Sequence, residues 1–413
     1  MIRVHILFLL FIFVSCGINT DKKVCKINTN RFTNSKILWN LDSLSHPPAF
    51  AWIDSTSSVR SLKYESVSFQ GKPTEVFAYY SNPDLLQGKV TGASFPAVVL
   101  VHGGGGKAFK AWVEKWAADG YAAIAMDLGA KDAEGNTVLN AGPDQSHKNK
   151  FTIIEKGELK NVWTYHAVAS IILAHSFLLN RPEVNAEKTC LTGISWGGYL
   201  TCIVAGLDDR FKAAAPVYGC AYYDESDAFS KPLSELSPFY EKQWMKYFDP
   251  SVYLPFAKPA LLFMDGNKDY FYNILPYYKT YKLPQNCEKN ICLKPNMQHG
   301  HLQGWQPIEI RYFFESIVNN GVPLPKLKEI KRSQSLLSAE FNSMVELRSA
   351  RFYYSSDTIS SNAKRVWLDL PASIHQDKNE IRCDMPDVDF KYAFFYVTDN
   401  REVSVSSPIY VQP

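Results

Sequence analysis

The sequence predicts an α/β protein: a mainly parallel, twisted sheet flanked by helices, followed by a small all-β module. Uninterrupted apolar runs, typical of strands buried on both faces, alternate with helical stretches up to about residue 325. Such alternation indicates parallel strands joined by crossover helices. Beyond residue 348 no helical period occurs, and short strands are separated by Ser, Asp and Asn turns. This second pattern favours a β-sandwich of the immunoglobulin or fibronectin kind.

Individual elements follow from local patterns. Residues 62–69 and 75–79 flank a short turn that contains Gly71 and Pro73, which predicts a β-hairpin. Trp112 and Trp116 lie four apart within residues 109–118 and therefore share one face of a predicted helix. Further strands are predicted at residues 97–101, 122–126, 189–192, 213–218, 260–264 and 290–294, and further helices at residues 161–180, 199–206 and 307–320.

The chain is predicted to have four parts. At 413 residues it exceeds the usual size of a single domain. We predict a signal peptide at residues 1–15, an N-terminal tether and irregular segment at residues 16–60, the α/β domain at residues 61–325 and the all-β module at residues 326–413. The net charge of +3 is small and no basic stripe follows a helix, so nucleic-acid binding is not expected.

The N-terminus has the features of an export signal. Arg3 and His5 precede an apolar run at residues 6–14, which is too short to span a bilayer. Residues 13–16, Phe-Val-Ser-Cys, resemble a bacterial lipobox, in which Cys16 would be lipidated and attach the protein to a membrane. The alternative is a simple secretory signal. Both predict an exported protein, in the periplasm or on the cell surface of a bacterium.

The cysteines do not suggest a metal centre. Cys287 and Cys292 flank a short polar turn and could form a disulfide in an oxidising compartment. Cys190, Cys202 and Cys220 lie in apolar contexts that favour small buried side chains. No His/Cys cluster has zinc-like spacing, and no metal or other cofactor is expected.

The most informative motif lies directly after the apolar run at residues 189–192. Gly193-Ile194-Ser195-Trp196-Gly197 fits G-x-S-x-G, a sharp strand-to-helix turn that exposes a serine hydroxyl. The glycines are needed because neighbouring backbone passes where a Cβ would clash. Since serine is a weak nucleophile at neutral pH, it requires a base that a third group orients. The motif therefore predicts Ser195 as a nucleophile whose partners come later in the chain.

Two loops supply candidates for these partners. The strand at residues 260–264 leads into Asp265 and Asp269, and we prefer Asp269 as the acid because it lies within the loop. Its alternative role is an Asx-turn or a helix cap. The strand at residues 290–294 leads into His299 and His301. We predict His299 as the general base and keep His301 as the alternative base.

A glycine run after another strand predicts an oxyanion hole. His102 is followed by four glycines, whose backbone N–H groups are free to face a developing negative charge. Gly104, Gly105 and Trp196 are the predicted donors. A phosphate loop would require Ser or Thr where Ala108 stands, and Ala108 also breaks the dinucleotide fingerprint.

Together these motifs identify a family resemblance. Residues from about 62 to 322 resemble an α/β-hydrolase of the dienelactone hydrolase and acetylxylan esterase type, including exported bacterial carbohydrate esterases. The resemblance implies an α/β-hydrolase fold, and Ser195 stands where dienelactone hydrolase uses cysteine. It implies a serine esterase that needs no cofactor and deacetylates polysaccharide or oligosaccharide. It does not extend to the C-terminal module.

Three further functions are compatible with these motifs. A prolyl-oligopeptidase-like peptidase shares this domain but carries a large N-terminal propeller, for which about 60 residues are too few. A methyl-ester hydrolase of pectin-like glycans would use the same catalytic residues. A carbohydrate-binding surface protein could be built on the same fold without catalysis.

Two further features have two interpretations each. Residues 129–150, with Asp144, Gln145 and His147, either line the acyl or sugar pocket or form a solvated loop. Trp367 either contacts sugar or belongs to the core of the β module.

Overall fold

The structure is a computed structural model that describes residues 24–32 and 37–412. Its centre is a nine-stranded sheet with the order β1-β2-β3-β5-β4-β6-β7-β8-β9. The strands are β1 (Phe50–Asp54), β2 (Arg60–Phe69), β3 (Lys72–Ser81), β4 (Phe95–Val101), β5 (Ala122–Met126), β6 (Val184–Ile194), β7 (Ala213–Val217), β8 (Ala260–Gly266) and β9 (Lys289–Lys294). The first three pair antiparallel with their neighbours, whereas β4 to β9 run parallel to one another. The predicted α/β class is confirmed.

Helices cover this sheet. They are α1 (Leu41–Leu44), α2 (Pro83–Gln87), α3 (Lys110–Ala118), α4 (His147–Lys150), α5 (Trp163–Leu179), α6 (Trp196–Leu207), α7 (Ser230–Ser234), α8 (Pro238–Phe248), α9 (Ile274–Lys282), α10 (His301–Trp305) and α11 (Ile308–Val318). Every residue of β5, β7 and α5 is buried, which explains why the two strands are continuous apolar runs rather than alternating ones. Within the described ranges, no helix combines the length and apolarity that crossing a bilayer requires.

The C-terminal part consists of two antiparallel five-stranded sheets, as the all-β prediction requires. One contains β10 (Lys326–Leu327), β11 (Lys331–Arg332), β12 (Leu336–Asn342), β15 (Ser373–His375) and β16 (Glu380–Asp384); the other contains β13 (Leu347–Ser355), β14 (Leu368–Pro371), β17 (Tyr392–Asp399), β18 (Ser404–Ser406) and β19 (Tyr410–Val411).

This module packs against the edge strand of the large sheet. The backbone N–H of Leu293 in β9 donates to Ser406 Oγ at 3.0 Å. Glu309, at the start of α11, accepts from Lys294 Nζ at 2.6 Å and from the backbone N–H of Ser404 at 3.1 Å. The module therefore covers an edge that would otherwise expose unpaired backbone groups.

Residues 24–32 and 37–60 differ from the tether that the sequence predicts. Their apolar side chains, among them Phe32, Trp39 and Leu44, are buried in the main core. Trp39 Nε1 also donates to the Tyr165 carbonyl at 2.8 Å. The apolar residues are scattered in a polar stretch, so periodicity does not indicate this packing. The predicted signal peptide and Cys16 lie outside the described residues.

The predicted disulfide between Cys287 and Cys292 is absent. Cys287 and Cys292, the candidate disulfide pair, are both free thiols. Cys292 is fully buried within β9, where it pairs in register with Met264 of β8. Cys190, Cys202 and Cys220 are buried, as expected.

A buried ion pair fixes the N-terminal segment to the domain. Arg210 Nη2 donates to Asp208 Oδ2 at 2.7 Å, and His175 Nδ1 lies 2.9 Å from the same oxygen. Arg210 Nη1 also donates to the Cys25 carbonyl at 3.1 Å. Burial alone would raise the pKa of Asp208, but Arg210 and His175 hold this pKa well below its usual range.

We expect Asp208→Asn to lower the free energy of unfolding by about 3–5 kcal/mol, because it leaves the buried Arg210 cation without its partner. Urea unfolding followed by circular dichroism measures this change. Glu187→Gln, which breaks the exposed Glu187–Lys212 pair, is the control and should cost about 1 kcal/mol or less. Equal losses in the two variants would contradict the role assigned to the buried pair.

Candidate active site

Ser195 occupies a strained turn between β6 and α6. Its backbone has φ 59° and ψ −117°, a conformation that costs a non-glycine residue of order 1–3 kcal/mol. The surrounding packing maintains this conformation, because neighbouring backbone segments pass very close to the turn. A Cβ on Gly197 would lie 2.1 Å from the Val101 carbonyl oxygen. A Cβ on Gly198 would lie 2.3 Å from the Val217 carbonyl oxygen. The predicted elbow is therefore present, with a glycine at each point of close approach.

A chain of hydrogen bonds connects Ser195 to a buried carboxylate. His299 Nε2 lies 3.0 Å from Ser195 Oγ, and His299 Nδ1 lies 2.5 Å from Asp269 Oδ2. The other oxygen, Asp269 Oδ1, accepts from the backbone N–H groups of Phe271 and Tyr272 at 2.7 and 2.9 Å. The carboxylate is thus oriented by its own loop, and one oxygen remains for the imidazole.

Asp265 lies apart from this chain. It is buried at the end of β8, where Oδ1 accepts from the N–H of Gly266 at 2.8 Å. Burial, together with the nearby Asp269, raises the pKa of Asp265 well above its usual value. Asp265 is thus held at the end of β8 by Gly266, whereas Asp269 is the carboxylate in contact with His299.

Aromatic rings fix the position of the His299 imidazole. The Tyr218 ring lies 4.4 Å from it and the Phe271 ring 4.7 Å, both between centroids. Tyr218 itself has φ 66°, and its hydroxyl donates to the Gln298 carbonyl at 2.8 Å, directly before His299. No sequence pattern indicates this role for Tyr218, whose backbone conformation only the structure reveals.

The second histidine of the motif has a different place. His301 Nε2 accepts from the N–H of Gly103 at 3.0 Å, so its lone pair is directed at the glycine loop rather than at Ser195. Burial, and to a smaller extent the nearby His299, lower the pKa of His301. The structure therefore places His299 beside Ser195 and uses His301 to hold the loop.

His102 holds the same loop from the other side. Its Nδ1 lies 2.8 Å from the Gly103 carbonyl oxygen, and its Nε2 accepts from the N–H of Leu128 at 2.9 Å. Burial lowers the pKa of His102 to about 4, so the ring is neutral at pH 7. One N–H and one lone pair of the neutral ring satisfy both contacts.

The predicted oxyanion donors lie in this loop and at the start of α6. Within the described residues, the N–H groups of Gly104 and Gly105 have no hydrogen-bond partner. Trp196 is the first residue of α6, where N–H groups have no acceptor within the helix. A Cβ on Gly104 would lie 2.7 Å from Trp196 Cδ1, so the loop and the Trp196 side chain are in close contact.

Comparisons with known proteins indicate the fold to which this site belongs. Residues 156–317 match the model of the prolyl oligopeptidase family. Acetyl xylan esterase 1 from Thermoanaerobacterium sp. JW/SL YS485 is 18% identical over 66% of this chain and 89% of its own, with a TM-score of 0.52. An acetyl xylan esterase from Paenibacillus sp. R4 is 20% identical over 67% of this chain and 91% of its own, with a TM-score of 0.53. No curated protein sequence shows significant similarity.

This is an α/β-hydrolase fold. The predicted family resemblance is confirmed at the level of the fold. An acylaminoacyl peptidase from Pyrococcus horikoshii also aligns, at 20% identity over 63% of this chain and 42% of its own, with a TM-score of 0.47.

Ser195 opens into a cavity of about 440 Å³ at the carboxyl end of the α/β-hydrolase sheet. The walls include the glycine loop, both histidines of the motif and the rings of Trp196, Phe229, Tyr270 and Phe271. Of residues 129–150, for which the sequence allowed either a pocket wall or a solvated loop, Lys150 lines the cavity, whereas Asp144, Gln145 and His147 do not. No pattern in the sequence distinguishes Lys150 from other loop lysines.

The C-terminal module contacts the acid loop of the α/β-hydrolase domain. Asn362 Nδ2 donates to the Asp269 carbonyl at 2.8 Å, and Trp367 Nε1 donates to the Asn267 carbonyl at 3.0 Å. Asn362 is buried, and Arg365 Nη1 donates to its side-chain oxygen at 2.8 Å. Trp367 also packs on Phe394 at 5.3 Å, so its ring belongs to the junction between the module and the loop.

We expect Gly197→Ala to destabilise the fold by about 3 kcal/mol or more, because the new Cβ meets backbone that cannot move aside. Gly88→Ala is the control: it also adds a methyl group, at φ 63° but with open space around it, and should cost about 1–2 kcal/mol. Urea unfolding measures both. A Gly197→Ala loss no larger than that of Gly88→Ala would contradict the close approach at the elbow.

Proposed function

We propose that this protein is a serine esterase that hydrolyses carboxylic esters through an acyl-enzyme. The observation that carries the proposal is the unbroken contact from Ser195 Oγ through His299 to Asp269, beside unpaired backbone N–H groups in an open cavity. An activated nucleophile, an oriented base and oxyanion donors are the parts that acyl transfer requires.

The reaction follows from these contacts. As Ser195 Oγ attacks the ester carbonyl, His299 Nε2 takes its proton, and Asp269 stabilises the imidazolium at Nδ1. The tetrahedral intermediate collapses with cleavage of the ester C–O bond, and His299 returns the proton to the departing alcohol. Water, deprotonated by His299, then attacks the acyl-enzyme and releases the carboxylic acid. None of these steps requires a cofactor.

The oxyanion of each intermediate would be bound by the N–H groups of Gly104, Gly105 and Trp196. A single donor of this kind contributes about 2.7–4 kcal/mol to transition-state stability in a well-characterised serine protease. His102 and His301 support the proposal indirectly, because their contacts with Gly103 hold the loop that carries two of the donors.

We propose acetylated polysaccharide or oligosaccharide as the substrate. Two structures that share this fold are acetyl xylan esterases, which favours an acetyl ester. The half-exposed Tyr270 ring and the Phe271 ring at the cavity wall offer flat apolar faces to a sugar ring. The proposed export signal, with lipid attachment at Cys16, suits an enzyme that acts on glycans outside the cytoplasm. Methyl esters of pectin-like glycans would require the same chemistry with a different leaving group.

A serine peptidase is the second candidate. The observation that favours it is the match of residues 156–317 to the prolyl oligopeptidase family. The same catalytic residues would then cleave an amide, and His299 would protonate an amine instead of an alcohol.

A panel of four substrates separates these functions: 4-nitrophenyl acetate, acetylated xylan, methylated pectin and an Ala-Pro anilide. We expect the wild type to hydrolyse the two acetyl esters and Ser195→Ala to lose at least about 10³-fold in kcat. Hydrolysis of the anilide without hydrolysis of esters would replace the esterase by the peptidase. If no substrate is turned over, a binding protein on a hydrolase fold becomes the better description.

The two histidines should respond differently to substitution. We expect His299→Ala to reduce kcat about as strongly as Ser195→Ala, because the two residues act as one unit. His301→Ala removes the acceptor of the Gly103 N–H, which costs about 1–3 kcal/mol and hence about 5- to 150-fold in kcat. Kinetics with 4-nitrophenyl acetate measure both. A larger loss in His301→Ala than in His299→Ala would reverse the assignment of the base.

Asn362 is expected to be a positioning residue. We predict that Asn362→Leu lowers kcat about tenfold with little change in KM, since the lost hydrogen bond is worth about 1–1.5 kcal/mol. The acid limb of the kcat/KM profile should also move to lower pH, because a displaced Asp269 stabilises the imidazolium less.

The control for Asn362 is Arg401→Met, which breaks contacts of the same module with the Val322 and Pro323 carbonyls. It should lower the melting temperature while leaving the pH profile in place. If both variants change stability and neither moves the acid limb, Asn362 has only a structural role.

A further inference from the structure

Lys150 is a buried cation beside the nucleophile. Its side chain is 7% exposed, and its Nζ lies 4.2 Å from the centre of the Trp196 ring and 5.0 Å from the centre of the Trp163 ring. Trp196 directly follows Ser195 in the chain, and Lys150 lines the same cavity. The ammonium group therefore lies beside the ring that adjoins the reacting centre.

This cation has no anionic partner among the residues that the structure describes. Its contacts are the two indole rings, and among the described residues no carboxylate forms an ion pair with Nζ and no acceptor lies within hydrogen-bond distance of it. The walls of the cavity contain no carboxylate. Asp144, the one carboxylate that affects Lys150 electrostatically, is exposed and already accepts from the Ser146 backbone and the Asn149 side chain.

Burial of an ammonium group has a desolvation cost, which an anionic ligand would offset. Burial lowers the pKa of Lys150 to about 8, so the side chain remains largely protonated at pH 7. Cation–π contacts with two indole faces recover part of the desolvation cost. No protein group accepts from the ammonium, so its three N–H donors are available to a ligand in the cavity that Lys150 lines.

We propose that Lys150 binds a carboxylate of the substrate, so that the enzyme prefers esters of glycans that contain uronic acid. This inference rests on the proposed esterase function and extends it to a substrate class. A carboxylate on the sugar that carries the ester, or on the adjacent sugar, would enter the cavity beside the Trp196 ring and accept from Nζ. Neutral acetylated glycans would leave Nζ unpaired and bind less tightly.

The test compares ligands that differ by one carboxylate per sugar. Trigalacturonate and galactotriose are titrated at pH 7 into Ser195→Ala protein by calorimetry, and both are used as inhibitors of 4-nitrophenyl acetate hydrolysis by the wild type. We expect trigalacturonate to bind at least about tenfold more tightly. A second pair, glutarate and butyrate, places the additional carboxylate on the acyl side and should show a smaller difference.

Substitutions of Lys150 test whether this side chain causes the preference for the anionic trimer. The ratio of the two dissociation constants should fall to about one in Lys150→Met and persist in Lys150→Arg. Lys148→Met, which removes an exposed charge from the same helix, is the matched control and should retain the ratio. Circular dichroism establishes that each variant is folded, and the use of ratios cancels any general change in affinity.

Several outcomes would overturn the inference. These are equal binding of the two trimers by the wild-type cavity, an anion preference that survives Lys150→Met, or a larger effect on the acyl-side pair than on the sugar-side pair. Hydrolysis of 4-nitrophenyl acetate without anion preference removes this inference and leaves the esterase. Absence of all ester hydrolysis removes the esterase, while calorimetry with Ser195→Ala still reports on Lys150.

Discussion

The close approach of three backbone segments at the nucleophile turn is the constraint on which the site depends. α6 can start directly after β6 only because Gly197 and Gly198 let its first turn touch the carbonyls of Val101 and Val217. This contact holds Ser195 in a conformation that an isolated chain would avoid. The same contact brings the end of β4, and with it the glycine loop, next to the start of α6. Nucleophile and candidate oxyanion donors are therefore positioned by one packing interaction.

The remaining groups converge because they follow parallel strands. The glycine loop follows β4, Ser195 follows β6, Asp269 lies in the loop after β8 and His299 in the loop after β9. Since the carboxyl ends of parallel strands share one edge of a sheet, distant sequence positions become neighbours there. The aromatic side chains around His299 and the histidines that flank Gly103 then restrict each group to one orientation.

Much of this was predictable because it is encoded locally. Continuous apolar runs identified the parallel strands and alternation identified the β2–β3 hairpin, whereas β1 was not predicted. The glycines of the elbow had to be glycines for steric reasons. The choice of Asp269 and His299 as neighbours of Ser195 agrees with the observed geometry. What the sequence did not show depends on tertiary contacts: the direction of the His301 lone pair, the burial of Lys150, the packing of residues 24–32 and 37–60, and the contact of Asn362 with the acid loop. None of these has a periodic or motif signal.

The contacts of Asn362 and Trp367 with the acid loop have a consequence for synthesis. They join positions 93 and 100 residues apart, and they reach backwards from the last part of the chain to the loop after β8. Domains generally fold from the N-terminus as the chain emerges. The elbow, the glycine loop and even His299 are thus translated before the residues that hold the carboxylate loop in place. The acid loop would therefore reach its final position only after the segment with Asn362 and Trp367 has been translated, long after the loop itself.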